Sequence, residues 1–290
     1  MNIAIMTDSN SGITQEQGKE LGICVVPMPF YIDGELYFEG VNLTREEFFA
    51  KQDAGADIST SMPSPGDVLD QWKELLGSYD QVVYLPMSSA LSSSCQTAMA
   101  MAEEEFPDKV FVVDNQRISV TLREAALASK EMAANGMDGA AIRERLLETK
   151  LDASIYIAVD TLTYLKKGGR ITPAAAAIGT LLKLKPVLQI QGGKLDAFAK
   201  CRTVKQARTT MIEAVKKDLQ DRFHMSVDDP DVVINAAHTM DDAGAEAWLK
   251  EVQEAFPGKE IYMDPLSLSI ACHIGRGSSA VTVSKKTPVA

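Results

Sequence analysis

The feature that most constrains this chain is a recurrence. Short apolar runs at residues 3–6, 25–31, 82–86, 110–113 and 155–159 are separated by stretches with helical periodicity. Strand-length runs alternating with helix-length segments predict an α/β sheet. Several helix starts carry their own signals: Thr14 with Gln17, Thr44 with Glu47, and Ser64 before Pro65, whose missing N–H costs nothing in a first turn. Helices are expected over 91–106, 120–135 and 137–150, the last two parted by the stop signal Asn135-Gly136.

Beyond about residue 160 the pattern changes. A Gly-rich turn leads into an Ala-rich helix over 173–184, then two strand-like runs, 187–191 and 194–200, joined at Gly192-Gly193, which is a hairpin signal. A long amphipathic helix is expected over 203–223, then a strand at 232–236, a helix at 241–255 and a last strand pair. The boundary between an N-terminal α/β domain, 1–160, and a smaller C-terminal α/β domain, 161–290, is placed near residue 160. A chain of 290 residues is long enough for two such cores without a disulfide or metal staple.

Charge and cysteine usage narrow the partners and the compartment. With 40 acidic against 29 basic residues the net charge is −11, which argues against a broad phosphate-binding surface and so against nucleic acid. Cys24, Cys95, Cys201 and Cys272 are dispersed, with no C-x-x-C pair, so neither a zinc ribbon nor a thioredoxin-type site is written and no metal site is expected. The first residues lack a basic region followed by an apolar one, and no run of about 18 apolar residues occurs. A reducing cytoplasm is expected, with at most transient membrane contact, and the sequon at Asn42 is then accidental.

Four segments carry chemical potential. In Ser59-Thr60-Ser61-Met62-Pro63-Ser64-Pro65, hydroxyl and amide donors converge on a rigid turn suited to an anion; Ser64 serves equally as a simple cap. In Ser88-Ser89-Ala90-Leu91-Ser92-Ser93-Ser94, five hydroxyls follow an apolar strand, at the edge of an open α/β sheet where ligands bind. In Lys166-Lys167-Gly168-Gly169-Arg170, three cations flank a double glycine that lets backbone approach a ligand or another segment closely. Arg170 outweighs the lysines there, because a guanidinium can hold a carboxylate in a fork. The fourth, Cys272-His273-Ile274-Gly275-Arg276-Gly277-Ser278, mimics a dinucleotide fingerprint, but a strand-like run at 281–283 follows it where a helix is required.

Taken in order, Thr7-Asp8-Ser9, Thr60-Ser61-x-Pro-Ser, Ser88-Ser89-x-Leu-Ser92, Val112-Val113-Asp114, Leu162-x-Tyr-Leu-Lys-Lys-Gly-Gly-Arg170-Ile171, Lys200-x-Arg202 and His273-Ile-Gly-x-Gly277 resemble the DegV family over nearly the whole chain. The resemblance implies a two-domain fold: an N-terminal Rossmann-like parallel-sheet domain and a smaller C-terminal α/β domain. It implies a protein that is not itself an enzyme and holds one long-chain fatty acid in a buried tunnel, the carboxylate at the domain junction. In bacteria with a fatty acid kinase, such a protein presents that carboxylate for acyl-phosphate formation in phospholipid metabolism. No cofactor is implied beyond the bound fatty acid.

Carried over by position, the resemblance assigns Thr60, Ser92, Arg170 and His273 to the carboxylate. Ser61, Ser93, Ile178, Leu182 and Arg276 are further lining residues, and Arg202 lies on the kinase-facing surface. The chain departs from the family pattern at Met62 for Gln, Ser93-Ser94-Cys95 for Gly-Thr-Tyr, Asn115 for Ser and Arg276 for Pro. These changes bear on the shape near the tunnel mouth. Energetically, a buried chain gains roughly 0.8 kcal/mol per methylene, so the polar residues chiefly orient the ligand. The helix at 173–184 is expected to pack against the acyl chain, or to be plain core, which periodicity does not separate. The rival reading is a serine hydrolase acting on a lipid or small ester, with Ser92 or Ser93 as nucleophile and His273 as base. It lacks the G-x-S-x-G elbow such a nucleophile commonly occupies.

Overall fold

A computed structural model describes residues 1–178 and 184–290 and divides into two compact units, Met1–Leu151 with Thr287–Ala290, and Asp152–Lys286. In the first unit the chain runs β1 (Ile3–Asp8), α1 (Gln15–Leu21), β2 (Ile23–Val26), β3 (Pro29–Ile32), β4 (Glu35–Phe38), α2 (Arg45–Asp53), β5 (Ile58–Thr60), α3 (Pro65–Leu76), β6 (Gln81–Leu85), α4 (Ser94–Glu105), β7 (Val110–Val112), α5 (Val120–Ala134) and α6 (Gly139–Glu148). The predicted caps form: Thr14 with Gln17 and Thr44 with Glu47 are complete capping boxes, and Ser64 caps α3 with Pro65 in its first turn.

The principal sheet of this unit is parallel, in the order β2-β1-β6-β7. Its apolar runs are explained by burial on both faces. Ile3, Ile5, Val83, Leu85 and Phe111 point into a core closed by Leu122, Ala125 and Met132 of α5 and by Ile142 and Leu146 of α6. Their neighbours Ala4, Met6, Val82, Tyr84 and Val112 point into a second core, closed by Val68 and Trp72 of α3 and Cys95 and Ala98 of α4. The chain steps outward from β1 to β2, then returns to the other side of β1 at β6. The carboxyl ends of β1 and β6 therefore flank a topological switch point.

Two details differ from the sequence reading. The run at 25–31 is divided between β2 and β3, because proline cannot donate to a ladder and Pro29 stands where it is tolerated, at the start of a strand. β3 then pairs antiparallel with β4 and β5 in a separate three-stranded sheet. The helix expected from residue 91 begins at Ser94, since the Leu91 and Ser92 amides close a turn on the Ser88 carbonyl at 3.0 and 3.2 Å.

The second unit contains β8 (Ala153–Ala158), α7 (Thr163–Gly168), α8 (Pro173–Ile178), β9 (Lys185–Ile190), β10 (Asp196–Cys201), α9 (Val204–Lys217), β11 (Val232–His238), α10 (Asp242–Ala255), β12 (Tyr262–Pro265), α11 (Leu268–Ile274) and β13 (Ser279–Lys285). They build a six-stranded mixed sheet, β10-β9-β8-β13-β11-β12, in which only β11 and β12 are parallel neighbours. One face is closed by Met211 and Val215 of α9, by Trp248 and Val252 of α10 and by Phe256 just beyond it, against Tyr156, Val187, Ile234 and Val281. The hairpin at Gly192-Gly193 forms as β9 and β10. The last two strands do not pair with each other: β12 lies beside β11, and β13 lies between β11 and β8. Helix α9 stops at Lys217, and a π-helical turn, Asp218–Arg222, completes the span expected to 223.

The division between the units falls at Leu151/Asp152, earlier than residue 160, because β8 is hydrogen-bonded on both sides to strands of the second unit. The last residues return to the first unit. Arg145 Nη1 donates to the carbonyls of Pro288 and Ala290 at 2.9 and 3.1 Å, and Val289 packs on the core beneath α5 and α6. The helix expected over 173–184 is seen as α8 to Ile178, with Ala175 fully buried; Leu182 lies outside the described residues, as does the side chain of Ile178.

Candidate functional site

The site residues fall into two sets, one in each unit. In the first unit, Thr60 ends β5, half-buried, and stands opposite Phe30 in the β3–β5 ladder; Ser61 follows, exposed, its amide bonded to the Pro29 carbonyl at 3.2 Å. Ser92 and Ser93 lie in the turn between β6 and α4. Met62 joins these segments, its sulfur 3.9 Å from Ser93 Oγ and 3.8 Å from Thr97 Oγ1. Met62, one of the positions that depart from the family pattern, thus ties the Thr60 turn to the serine turn. Ser92 Oγ donates to Ser94 Oγ at 2.9 Å and accepts from the Ser94 amide at 3.2 Å, so its proton is directed at a neighbouring serine.

The serine turn is anchored by carboxylates at the strand ends. Asp114, just beyond β7, accepts from the Ser89 amide at 3.1 Å and from Ser89 Oγ at 2.5 Å. Asp8, fully buried at the end of β1, accepts from the Asn10 amide at 2.9 Å and the Met87 amide at 2.8 Å. Burial pushes the Asp8 carboxyl up to about 6, against the pull of those two amides. The backbone from Asp114 to Ser119 crosses this edge in a strained path: Gln116 and Ser119 have φ of 55° and 56°, and the Ser119 amide bonds the Asn10 carbonyl at 2.7 Å. Thr60, Ser61, Ser92 and Ser93 therefore offer neutral donors on a frame held by two acids.

In the second unit the structure brings Arg170 and His273 together. Arg170 follows the double glycine that ends α7, and its Nη1 donates to the Gly168 carbonyl. His273 stands in the last turn of α11, against Gly168. Burial first, and the Arg170 charge second, hold the His273 imidazole down at about 4, so it is neutral at pH 7. One guanidinium and one neutral imidazole make this set cationic by a single charge. Lys194 Nζ reaches the Gly169 carbonyl at 3.3 Å, so the carbonyl end of α7 draws a second cation. Arg276 is exposed beyond Gly275, and Arg202 is exposed between β10 and α9, its amide bonded to Gln206 Oε1 at 2.9 Å.

Sequence reasoning passed over three supporting residues. Asp8 and Asp114 lie in the quoted motifs, but nothing in the sequence pairs Asp114 with Ser89. Thr239 stood in no motif: fully buried, it donates to the Gly275 carbonyl at 2.7 Å and accepts from the Ser278 amide at 2.9 Å, fixing the loop after His273. Among the described residues no group of three or more His, Cys, Asp or Glu side chains is disposed to hold a metal ion, and no helix is long and apolar enough to cross a membrane.

The model of the DegV family matches this chain over residues 2–286. The chain belongs to the DegV family. A DegV domain-containing protein of Deinococcus radiodurans is 35% identical over 218 residues, covering 75% of this chain and 77% of that one. Two solved DegV structures share the two-domain α/β fold. A fatty-acid-binding family member from Thermus thermophilus has a TM-score of 0.87 and 32% identity, over 98% of this chain and 100% of that one. DegV of Bacillus subtilis, described as a fatty acid binding protein, has a TM-score of 0.86 and 27% identity, over 99% and 100%. The α/β architecture and its N-terminal parallel sheet are thus those of the DegV family.

Proposed function

We propose that this DegV-family protein binds one long-chain fatty acid in a buried tunnel. Thr60 donates to its carboxylate, as does Ser92 once its hydroxyl turns away from Ser94, while Arg170 supplies the positive charge and His273 a neutral imidazole donor. Ser61, Ser93 and Arg276 line the path of the ligand. The observation that carries this reading is the full-length likeness to the Thermus thermophilus fatty-acid-binding structure. It is supported by the pairing of Arg170 with an imidazole that stays uncharged, which provides one positive charge for one carboxylate. A desolvated carboxylate is tolerated when its hydrogen bonds are met, and a single guanidinium with three neutral donors meets them without taking its proton.

In this reading the protein works in the cytoplasm as the substrate-presenting partner of a fatty acid kinase, without a cofactor or catalytic step of its own. Arg202, exposed at the start of α9, contacts the kinase. The methylenes supply most of the affinity and the head-group residues supply orientation, which leaves a carboxylate oxygen for phosphorylation.

The test is titration of delipidated protein with palmitate and with its methyl ester. Palmitate should bind stoichiometrically and the ester at least tenfold more weakly, because the ester offers Arg170 no charge. Equal binding of both would remove the head-group assignment. With the kinase and ATP added, Arg202→Ala should lower acyl-phosphate formation and leave palmitate affinity unchanged; the reverse pattern would refute that role.

A further inference from the structure

We propose that Gly168 is a positioning residue that holds Arg170 and His273 in register, by giving both a single backbone position to rest on. The ligand in this statement rests on the fatty-acid reading; the geometry does not. Gly168 is the last residue of α7, and two different groups converge on it. Its carbonyl accepts the hydrogen bond from Arg170 Nη1. Its α-carbon lies directly against the imidazole: a Cβ built there would fall on His273 Nδ1 and within 2.7 Å of Cε1. No side chain fits at residue 168 while the ring keeps its place.

The contact is half of a reciprocal clasp. Where Gly168 receives the His273 ring, Gly275 receives the Tyr164 ring, and a Cβ there would lie 2.8 Å from Cδ2 and Cε2. Each segment thus contributes one glycine and one ring, so neither can shift without the other. Gly169 has a different task. Its φ of 68° makes the turn, but nothing lies within 4 Å of a Cβ built on it, so only Gly168 is small for the sake of the site. Thr239 secures the far side through its bonds to Gly275 and Ser278. Arg170 is the charged group that bears on the ring; Tyr164 packs on Gly275, and Lys166, Lys167 and Arg276 are exposed on the same two segments. His238 ends β11, beside the loop that Thr239 holds, and Asp160, bonded to Lys185 at 2.6 Å, packs at Gly277.

The experiment is a double-mutant cycle of Gly168→Ala and His273→Ala, read by thermal midpoint and palmitate affinity, with the His273 imidazole followed by NMR in the single variant. Gly168→Ala should lower the midpoint and weaken palmitate roughly tenfold, the size expected when one or two charge-assisted contacts are misdirected. The displaced imidazole should titrate closer to the ordinary histidine value near 6.5 than to the value of about 4 that it has when packed. In the His273→Ala background the same Gly168→Ala change should cost nothing, because the methyl then has room. If Gly168→Ala does not fold alone, the double variant should. Equal losses in both backgrounds, an unmoved His273 titration, or a double variant that also fails to fold would each overturn the proposal. A protein that shows the coupling but binds no palmitate would refute the fatty-acid reading and leave the positioning role standing.

Discussion

In the first unit the buried ionisable group at the site is an acid, Asp8, and the donors above it are hydroxyls and backbone amides. In the second unit it is an imidazole, and the donor beside it is a guanidinium. Burial pushes both toward their uncharged forms, Asp8 upward and His273 downward, so the same physical cause gives opposite consequences. One set of donors is neutral on an acidic frame, and the other is cationic because only Arg170 keeps its charge.

Removing a core tryptophan from either unit has the largest expected effect. Trp248→Ala should destabilise the second unit by about 3–5 kcal/mol, since the ring is fully buried, its Nε1 bonds the Ala280 carbonyl at 3.0 Å, and Arg208 lies 5.1 Å above it. Trp72→Ala in the first unit should cost a similar amount. The conservative changes separate them: Trp72 Nε1 has no hydrogen-bond partner among the described residues, so Trp72→Phe should cost less than Trp248→Phe, which discards a bond. Calorimetric unfolding checks the order, and a reversed order would contradict the packing described.

The opposite pKa shifts predict opposite pH slopes. Folded Asp8 holds its proton up to about pH 6 and the unfolded acid releases it near 3.8, so its contribution is present below 3.8 and is lost as pH rises to 6. Folded His273 stays neutral down to about 4 while the unfolded residue takes a proton near 6.5, so its contribution is present above 6.5 and is lost as pH falls to 4. Each amounts to about 3 kcal/mol, and they offset one another across most of that window. Relative to the parent protein, His273→Gln should therefore lose stability as pH rises from 4 to 6, and Asp8→Asn should gain it. Denaturant titrations at several pH values measure both slopes; slopes of the same sign in the two variants would contradict the opposite effects of burial on the two groups.

The smallest expected effects are in the ligand contacts. Arg170→Ala should weaken palmitate binding roughly tenfold and Thr60→Val about threefold, because a charged donor contributes more than a hydroxyl and the acyl chain carries most of the affinity. Unchanged binding in both would remove these residues from the site.

The two units also differ in how plainly the sequence announces them. Strands β1, β6 and β7 are buried on both faces, so each reads as an unbroken apolar run, and the capping boxes at Thr14 and Thr44 mark their helices locally. The mixed sheet is less legible, because the place of β13 between β8 and β11 depends on pairings far apart in the chain. His273 could be singled out, but α11 is too short to show a helical period, and its contact with Gly168 joins residues more than a hundred positions apart. The double glycine advertised close approach without saying to what. Likewise Asp8 could be read as part of a motif, but its raised pKa arises from complete burial at a strand end, which no local pattern encodes.

Whether the protein carries a fatty acid is read by mass spectrometry of the small molecules released when the purified protein is denatured, with a mock purification as control for contaminating lipid. A stoichiometric C14–C18 fatty acid is the predicted result. A polar ligand, or none from a protein that also fails to take up added palmitate, would contradict it.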